Sequence, residues 1–186
     1  MANSKTIATE QEARLIARFR ENPELSDLFL EVTNVYKEDP KQFENLHAIE
    51  TYLLEKVRAI GNNTLGQWAA SLEKEVARLE RSKEGVRKHS KKKLNFTTLL
   101  GKISVEETVL QQGSTCVRPL SKALNMAAQG CSVSLQEVIV DFGAEDSFAQ
   151  ASERLLRHHG IELSENKLRK ITLCHAQDIY ENERLG

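Results

Sequence analysis

Apolar residues recur along most of this chain at the three- and four-residue spacing of a helix face. Asn22-Pro23 opens one such run, with Asn22 as N-cap and Pro23 at the first helical position. Leu25, Leu28, Phe29, Val32, Val35 and Tyr36 then share a face, and Asp39-Pro40 ends it. A shorter helix over about 9–21 precedes it, with Leu15, Ile16 and Phe19 inward. Leu46, Ile49, Leu53, Val57 and Ile60 stripe a third helix, which Gly61 closes in a left-handed cap. Leu65, Trp68, Leu72, Val76 and Leu79 stripe a fourth, with Trp68 in its core. The Leu65, Leu72, Leu79 repeat covers under three heptads, so a packed helix is favoured over a coiled coil. Residues 8–81 read as a small helical bundle.

After residue 93 the period shortens. Phe96 to Leu99 lead to Gly101, and Ile103, Val105 and Thr108 to Leu110 lead to Gly113, which predicts a short β-hairpin broken in alternation at Glu106-Glu107. A short helix follows Arg118-Pro119, with Leu120, Ala123, Leu124 and Ala127 inward. Another follows Ser132 with Leu135, Val138 and Ile139 inward, and stops near Gly143. Asp146 is the expected N-cap of the next, whose Phe148, Ala151, Leu155 and Leu156 share a face up to Gly160. Ser164 caps a last helix with Leu168 and Ile171 inward. The predicted fold class is mostly α: an N-terminal helical bundle, a short β-hairpin and a C-terminal helix-turn-helix-like helical region. The predicted domains are 1–81, a basic linker at 82–93, and 94–186 with the helix-turn-helix at 146–177.

Composition narrows the class. With 186 residues, 40% hydrophobic, the chain carries enough apolar material for a core of ordinary size. No stretch approaches the roughly 18 apolar residues that span a bilayer, and the start MANSKTIATEQEARL has no apolar secretory segment. Three widely spaced cysteines argue against a disulfide framework and for a reducing cytoplasm.

Charge changes the picture more. The formal net charge is -1, but it is unevenly laid out. Residues 81–93 hold 7 Lys and Arg against one Glu, a net of +6, and acidic regions flank them. The island either touches nucleic acid or serves as a solvated linker. Its DNA-binding candidates are Arg87, Lys88, Lys91, Lys92 and Lys93, placed to follow phosphates without reading sequence.

The last third carries the sharper geometry. A helix of about 13 residues, a glycine turn and a second helix rich in Lys, Arg, Asn and Thr outline a helix-turn-helix. The second helix would enter a major groove about 12 Å wide. Its outward face is expected to hold Asn166, Lys167, Arg169, Lys170 and Thr172. Arg and Lys would reach guanine or phosphate, Asn166 would pair with adenine, and Ser164 with the free N–H groups would hold a phosphate. The alternative is an ordinary helical hairpin with a solvated outer face.

Specific strings point further. Arg118-Pro119-Leu120, Ser134-Leu135-Gln136, Asp141-Phe142-Gly143-Ala144-Glu145 with Ser147-Phe148, His159-Gly160-Ile161, Arg169-Lys170-Ile171-Thr172 and His175-Ala176 stand in this order. Over about 99–176 the chain resembles the N-terminal half of insertion-sequence transposases of the ISKra type, and DFGAEDSFAQA is the most specific part. The resemblance implies a DNA-binding protein that recognises the ends of a mobile element for transposition and DNA recombination. In that family a catalytic RNase H-like domain follows, with metal-binding carboxylates. No residue here matches them, so the expectation is a part without catalysis of its own. Some relatives place paired cysteines before the Arg-Pro motif. Cys116 stands alone, and no metal or cofactor is assigned.

Other constellations are weaker. His158-His159 and Cys174-His175 lack C-x2-C or H-x3-H spacing. The expected partner is double-stranded DNA in a bacterial cytoplasm, with residues 1–81 a candidate for homo-oligomerisation. The competing reading is a helical protein-interaction or oligomerisation module that does not bind DNA.

Overall fold

Asn22 performs the capping that its place before Pro23 predicts: its Oδ1 accepts from Leu25 N at 3.1 Å. The computed structural model describes residues 2–37, 42–125 and 130–184. Asp39-Pro40 and Ala127 lie outside the described residues. The chain divides into two units, Met1–Thr64 and Leu65–Gly186. The first contains α1 (Ala2–Glu21), α2 (Pro23–Asn34), a 3-10 turn (Val35–Lys37) and the first half of α3 (Leu46–Arg81). Polar contacts tie α2 to α3. Asn22 Nδ2 donates to Asn63 Oδ1 at 2.6 Å, Asn63 Nδ2 donates to Glu24 Oε2 at 2.8 Å, and Lys56 pairs with Glu31 at 2.5 Å. Phe19 and Phe29 stack with ring centroids 5.2 Å apart. Among the described side chains of this unit, Asn22 alone is buried.

Two sequence expectations fail along α3. Gly61 does not end a helix, and α3 runs unbroken for 36 residues. An interior glycine costs about 1 kcal/mol relative to alanine, and Asn62, Asn63, Thr64 and Gly66 after it are poor helix formers too; the hydrogen bonds of Asn63 to Asn22 and Glu24 hold the chain in this stretch. Trp68 is not core: it is 53% exposed, while Ala69 beside it is fully buried. Leu65, Leu72 and Val76 face the sheet as expected, with Ala69 in place of Trp68 between them, and Leu79 is 50% exposed.

That sheet explains both corrected boundaries. Its strands are β1 (Val86–Thr98), β2 (Gly101–Gln112) and β3 (Thr115–Val117), antiparallel in the order β1-β2-β3. Phe96, Ile103, Val105 and Leu120 pack on the second half of α3, so residues 65–81 belong with the sheet and not with an N-terminal bundle ending at 81. The basic island is not a linker. From Val86 onward it is strand, paired from Val86↔Gln112 to Thr98↔Gly101 with an irregularity between Lys88 and Ser90. Its first half is exposed on both faces apart from half-buried Val86, Ser90 and Leu94. A strand with two wet faces shows no apolar alternation, which hid it in the sequence.

The remaining helices are α4 (Pro119–Ala123), α5 (Val133–Glu145), α6 (Phe148–His159) and α7 (Glu165–Arg184). The last three pack on one another around Leu135, Ile139, Ala151, Leu155, Ile161, Leu163, Leu168 and Ile171. Ser147, not Asp146, caps α6. Its hydroxyl accepts from Gln150 N, and Gln150 reaches back to the Ser147 N–H in a capping box. Leu156 is 52% exposed and Ala123 is exposed, so neither packs inward. Gly160 closes α6 at φ 64°, a left-handed position that favours glycine. The segment Gly130–Ser132 ties this group to the hairpin: Thr97 N donates to Gly130 O, and Ser132 N to Thr97 O, each at 2.9 Å.

Candidate nucleic-acid interface

α7 is oriented by what it buries. Leu168 and Ile171 are fully buried against α5 and α6. The helical period then turns Asn166, Arg169 and Lys170 to the outside, and all three are exposed. Ser164 is exposed just before the helix, and its carbonyl accepts from Lys167 N at 2.9 Å and Leu168 N at 3.1 Å. The first turns of α7 therefore present a hydroxyl, an amide and two cations to solvent.

Two residues expected on that face lie elsewhere. Lys167 is half-buried and lines a cleft with Asn95, Thr97, Lys102 and Ser104 of the hairpin. Burial pushes the Cys131 thiol up, while the charge and hydrogen bond of Lys167 act in the opposite sense. Thr172 is half-buried against Gly143 of α5, where an added Cβ would meet its Oγ1 and its Cγ2 at 3.2 Å. The Thr172 hydroxyl is buried without a hydrogen-bond partner among the described residues. A groove-reading side chain would be free to leave the protein, and this one is wedged between helices.

The strings that carry the family resemblance are mostly structural. Arg118 Nε and Nη2 donate to Glu107 Oε2 at 2.8 and 2.7 Å, and Ser121 gives the same fully buried carboxylate its N–H and hydroxyl at 2.6 and 2.8 Å. Pro119 occupies the first turn of α4 and Leu120 the core. Leu135 is core, and Gln136 bridges two elements. Its Nε2 donates to Cys131 O at 2.9 Å, and its Oε1 accepts from His175 Nε2 at 2.8 Å. Phe142 stacks under the Arg154 guanidinium at 4.4 Å, and Arg154 also pairs with Glu145 at 3.0 Å and with Asp146. Arg169 and Lys170 stand apart from these: both are exposed, and neither makes a hydrogen bond or ion pair among the described residues.

β1 carries the second basic surface. Arg87, Lys88, Lys91, Lys92 and Lys93 are all exposed. Cross-strand pairing sorts them by face. Lys88, Lys91 and Lys93 stand opposite Leu110, Thr108 and Glu106, whereas Arg87 and Lys92 stand opposite Gln111 and Glu107 on the other face. Lys91 Nζ pairs with Glu106 Oε2 at 2.8 Å. That hydrogen bond holds the Glu106 carboxyl below its ordinary range and raises the Lys91 ammonium, with Lys93 and Lys88 adding to the effect on Glu106. The pair is intact at neutral pH and is lost as pH falls through the lowered carboxylate value.

The sequence offered one unread sign of the buried carboxylate. Positions 103, 105, 107 and 109 keep a strict period of two, so Glu107 had to point inward with the apolar residues. Among the described residues, no three His, Cys, Asp or Glu side chains gather as metal ligands would. None of the described helices is long and apolar enough to cross a membrane. No protein-family model matches the chain, and no curated protein matches it.

Proposed function

We propose that this chain binds duplex DNA, reading bases with the exposed face of α7 and holding phosphates with β1. It corresponds on this reading to the DNA-recognising part of an insertion-sequence transposase. One observation carries the proposal. Within a string otherwise used for packing, Arg169 and Lys170 project into solvent from the helix after a glycine turn, beside Asn166 and Ser164. Buried Leu168 and Ile171 fix the rotation of that helix, so its backbone presents these side chains outward, and contact has only their rotamers to order. Lys167 and Thr172 are left out of the reading face for the geometric reasons above.

The test is fluorescence anisotropy on a duplex enriched from a random library, with Arg169→Ala and Lys170→Ala. Each residue that makes a bidentate base contact should cost about 1–3 kcal/mol in binding. Circular dichroism should be unchanged, because both side chains are exposed. Unchanged affinity in both variants would remove α7 as the reading element. A second reading, a protein-interaction module, is favoured by the exposure of every described apolar side chain of the first unit, at least in part.

A further inference from the structure

Phe96, Ile103 and Val105 turn one face of the sheet to α3, and the alternation of the strands leaves Asn95, Thr97, Lys102 and Ser104 on the other. On that side the hairpin and the start of α7 enclose a cleft of about 440 Å³, lined by Asn95, Thr97, Lys102, Ser104, Gly130 and Lys167 among others. A smaller cleft of about 240 Å³ shares Thr97 and Lys102 with it. Positions 91, 93, 95 and 97 of β1 lie on one face, opposite 108, 106, 104 and 102 of β2. The cleft therefore stands at the end of the basic row that contains Lys91 and Lys93.

The chemistry of the larger cleft is that of an oxyanion site. Two cations line it, Lys102 from β2 and Lys167 from α7, and among the described residues no carboxylate does. Lys167 is half-buried in the first turn of α7. That is the positive end of the helix dipole, where a cation is disfavoured and an anion favoured. The Cys131 thiol engages one of its three ammonium donors, which leaves the others for a ligand. Thr97 is 5% exposed, and its backbone N–H and C=O are committed to Gly130 and Ser132. Its hydroxyl lies on the cleft face and makes no hydrogen bond among the described residues. A buried hydroxyl without a partner carries a desolvation cost that a ligand oxygen recovers.

We infer that this cleft seats a phosphate group, held by the ammonium groups of Lys102 and Lys167, with the Thr97 hydroxyl and the side chains of Asn95 and Ser104 as further donors. A carboxylate has only two acceptor oxygens and would leave donors on both walls unused. The volume falls in the range of small-ligand clefts, so the phosphate enters with the groups esterified to it. The basic row on β1 indicates the source. A polyanion lying along the sheet places one phosphate in the cleft while its neighbours pass Lys93 and Lys91. That source, a phosphodiester of duplex DNA, rests on the DNA-binding reading above, whereas the seat itself does not. Lys167 then positions the duplex without reading bases, which its half-buried place allows.

The experiment is amide NMR of the full chain, titrated with inorganic phosphate against sodium chloride at equal ionic strength, and then with a short random-sequence duplex. Phosphate should shift the amide signals of Asn95, Ser104, Gly130 and Lys167 saturably, with a dissociation constant on the order of 1 mM. Lys102→Met and Lys167→Met keep an aliphatic stem and lose the charge. Each should weaken phosphate at least about tenfold, the scale of one hydrogen bond to a charged group. Lys74→Met, at an exposed position of α3, should bind phosphate like wild type. The remaining signals report whether each variant is folded. Duplex should shift the same four amides and prevent any further shift by phosphate. Absence of a saturable shift at the cleft overturns the inference, even if duplex binds elsewhere. So does a folded methionine variant that binds phosphate like wild type. A cleft that takes phosphate in a protein that binds no duplex upholds the seat, with a free phosphate ester as its occupant, and overturns the DNA-binding reading instead. Duplex that binds but leaves the four amides unmoved upholds that reading and overturns the duplex as the source of the phosphate.

Discussion

Glu107 is a fully buried carboxylate on an otherwise apolar strand face, and its neighbours satisfy it completely. Taking away one partner of such a pair leaves an uncompensated charge, which is costlier than the pair itself is stabilising. Arg118→Ala should therefore destabilise the protein by about 3 kcal/mol, even though the Arg118 side chain is partly exposed. Glu107→Gln keeps an acceptor for Ser121 and should cost about 1–2 kcal/mol. Urea denaturation followed by circular dichroism measures both, and a reversed order would mean that Ser121 alone holds the carboxylate. Gly143 makes a second argument at this scale. A methyl group there collides with Thr172, so Gly143→Ala should cost about 1–3 kcal/mol through overpacking. Thr172→Ala removes a buried hydroxyl with no partner among the described residues, so it should be near neutral in stability and in DNA affinity. The double variant should recover part of the loss, a coupling that thermal melts of the four proteins would reveal. Additive losses would show that the close approach of α5 and α7 is not what Gly143 provides.

At the scale of elements, the step from linker to strand changes how the basic island can work. A flexible segment could bring all five cations to one phosphate backbone. A paired strand divides them, with Lys88, Lys91 and Lys93 on one face and Arg87 and Lys92 on the other. The face with three cations is expected to meet DNA. Replacing Lys88, Lys91 and Lys93 by Ala should reduce the salt slope of binding by up to about 2.7, at 0.9 per phosphate contact. Arg87→Ala with Lys92→Ala should change it much less. Random and preferred duplexes should lose affinity alike, since phosphates carry no sequence information. The measurement is a salt titration of both duplexes. A larger effect from Arg87 and Lys92 would reverse the assignment of faces. Lys91 is already paired with Glu106, so its contribution should be the smallest of the three.

At the scale of the whole molecule, two units differ in how they are held. Leu65–Gly186 has two buried apolar clusters, one between α3 and the sheet and one among α5, α6 and α7. Among the described residues of Met1–Thr64, none belongs to either cluster. The sequence already determined the helices with strong local signals: the Asn22-Pro23 start, the Gly160 stop, and the inward Leu168 and Ile171 that leave Asn166, Arg169 and Lys170 outside. These follow from caps and from the helical period, which act within a turn or two. Only the tertiary structure decided the rest, because each case depends on a distant partner. Gly61 stays helical although its neighbours are poor helix formers, with Asn63 two residues on held by Asn22 and Glu24. Arg87 to Lys93 become strand because β2 lies alongside, and Lys167 and Thr172 turn inward because the hairpin and α5 meet α7 there. Glu107 is buried because Arg118 and Ser121 arrive from beyond the turn to neutralise and cap it. Periodicity reports which side of an element is apolar. It does not report what stands opposite, and the burial of Glu107 and the inward placement of Lys167 and Thr172 were settled there.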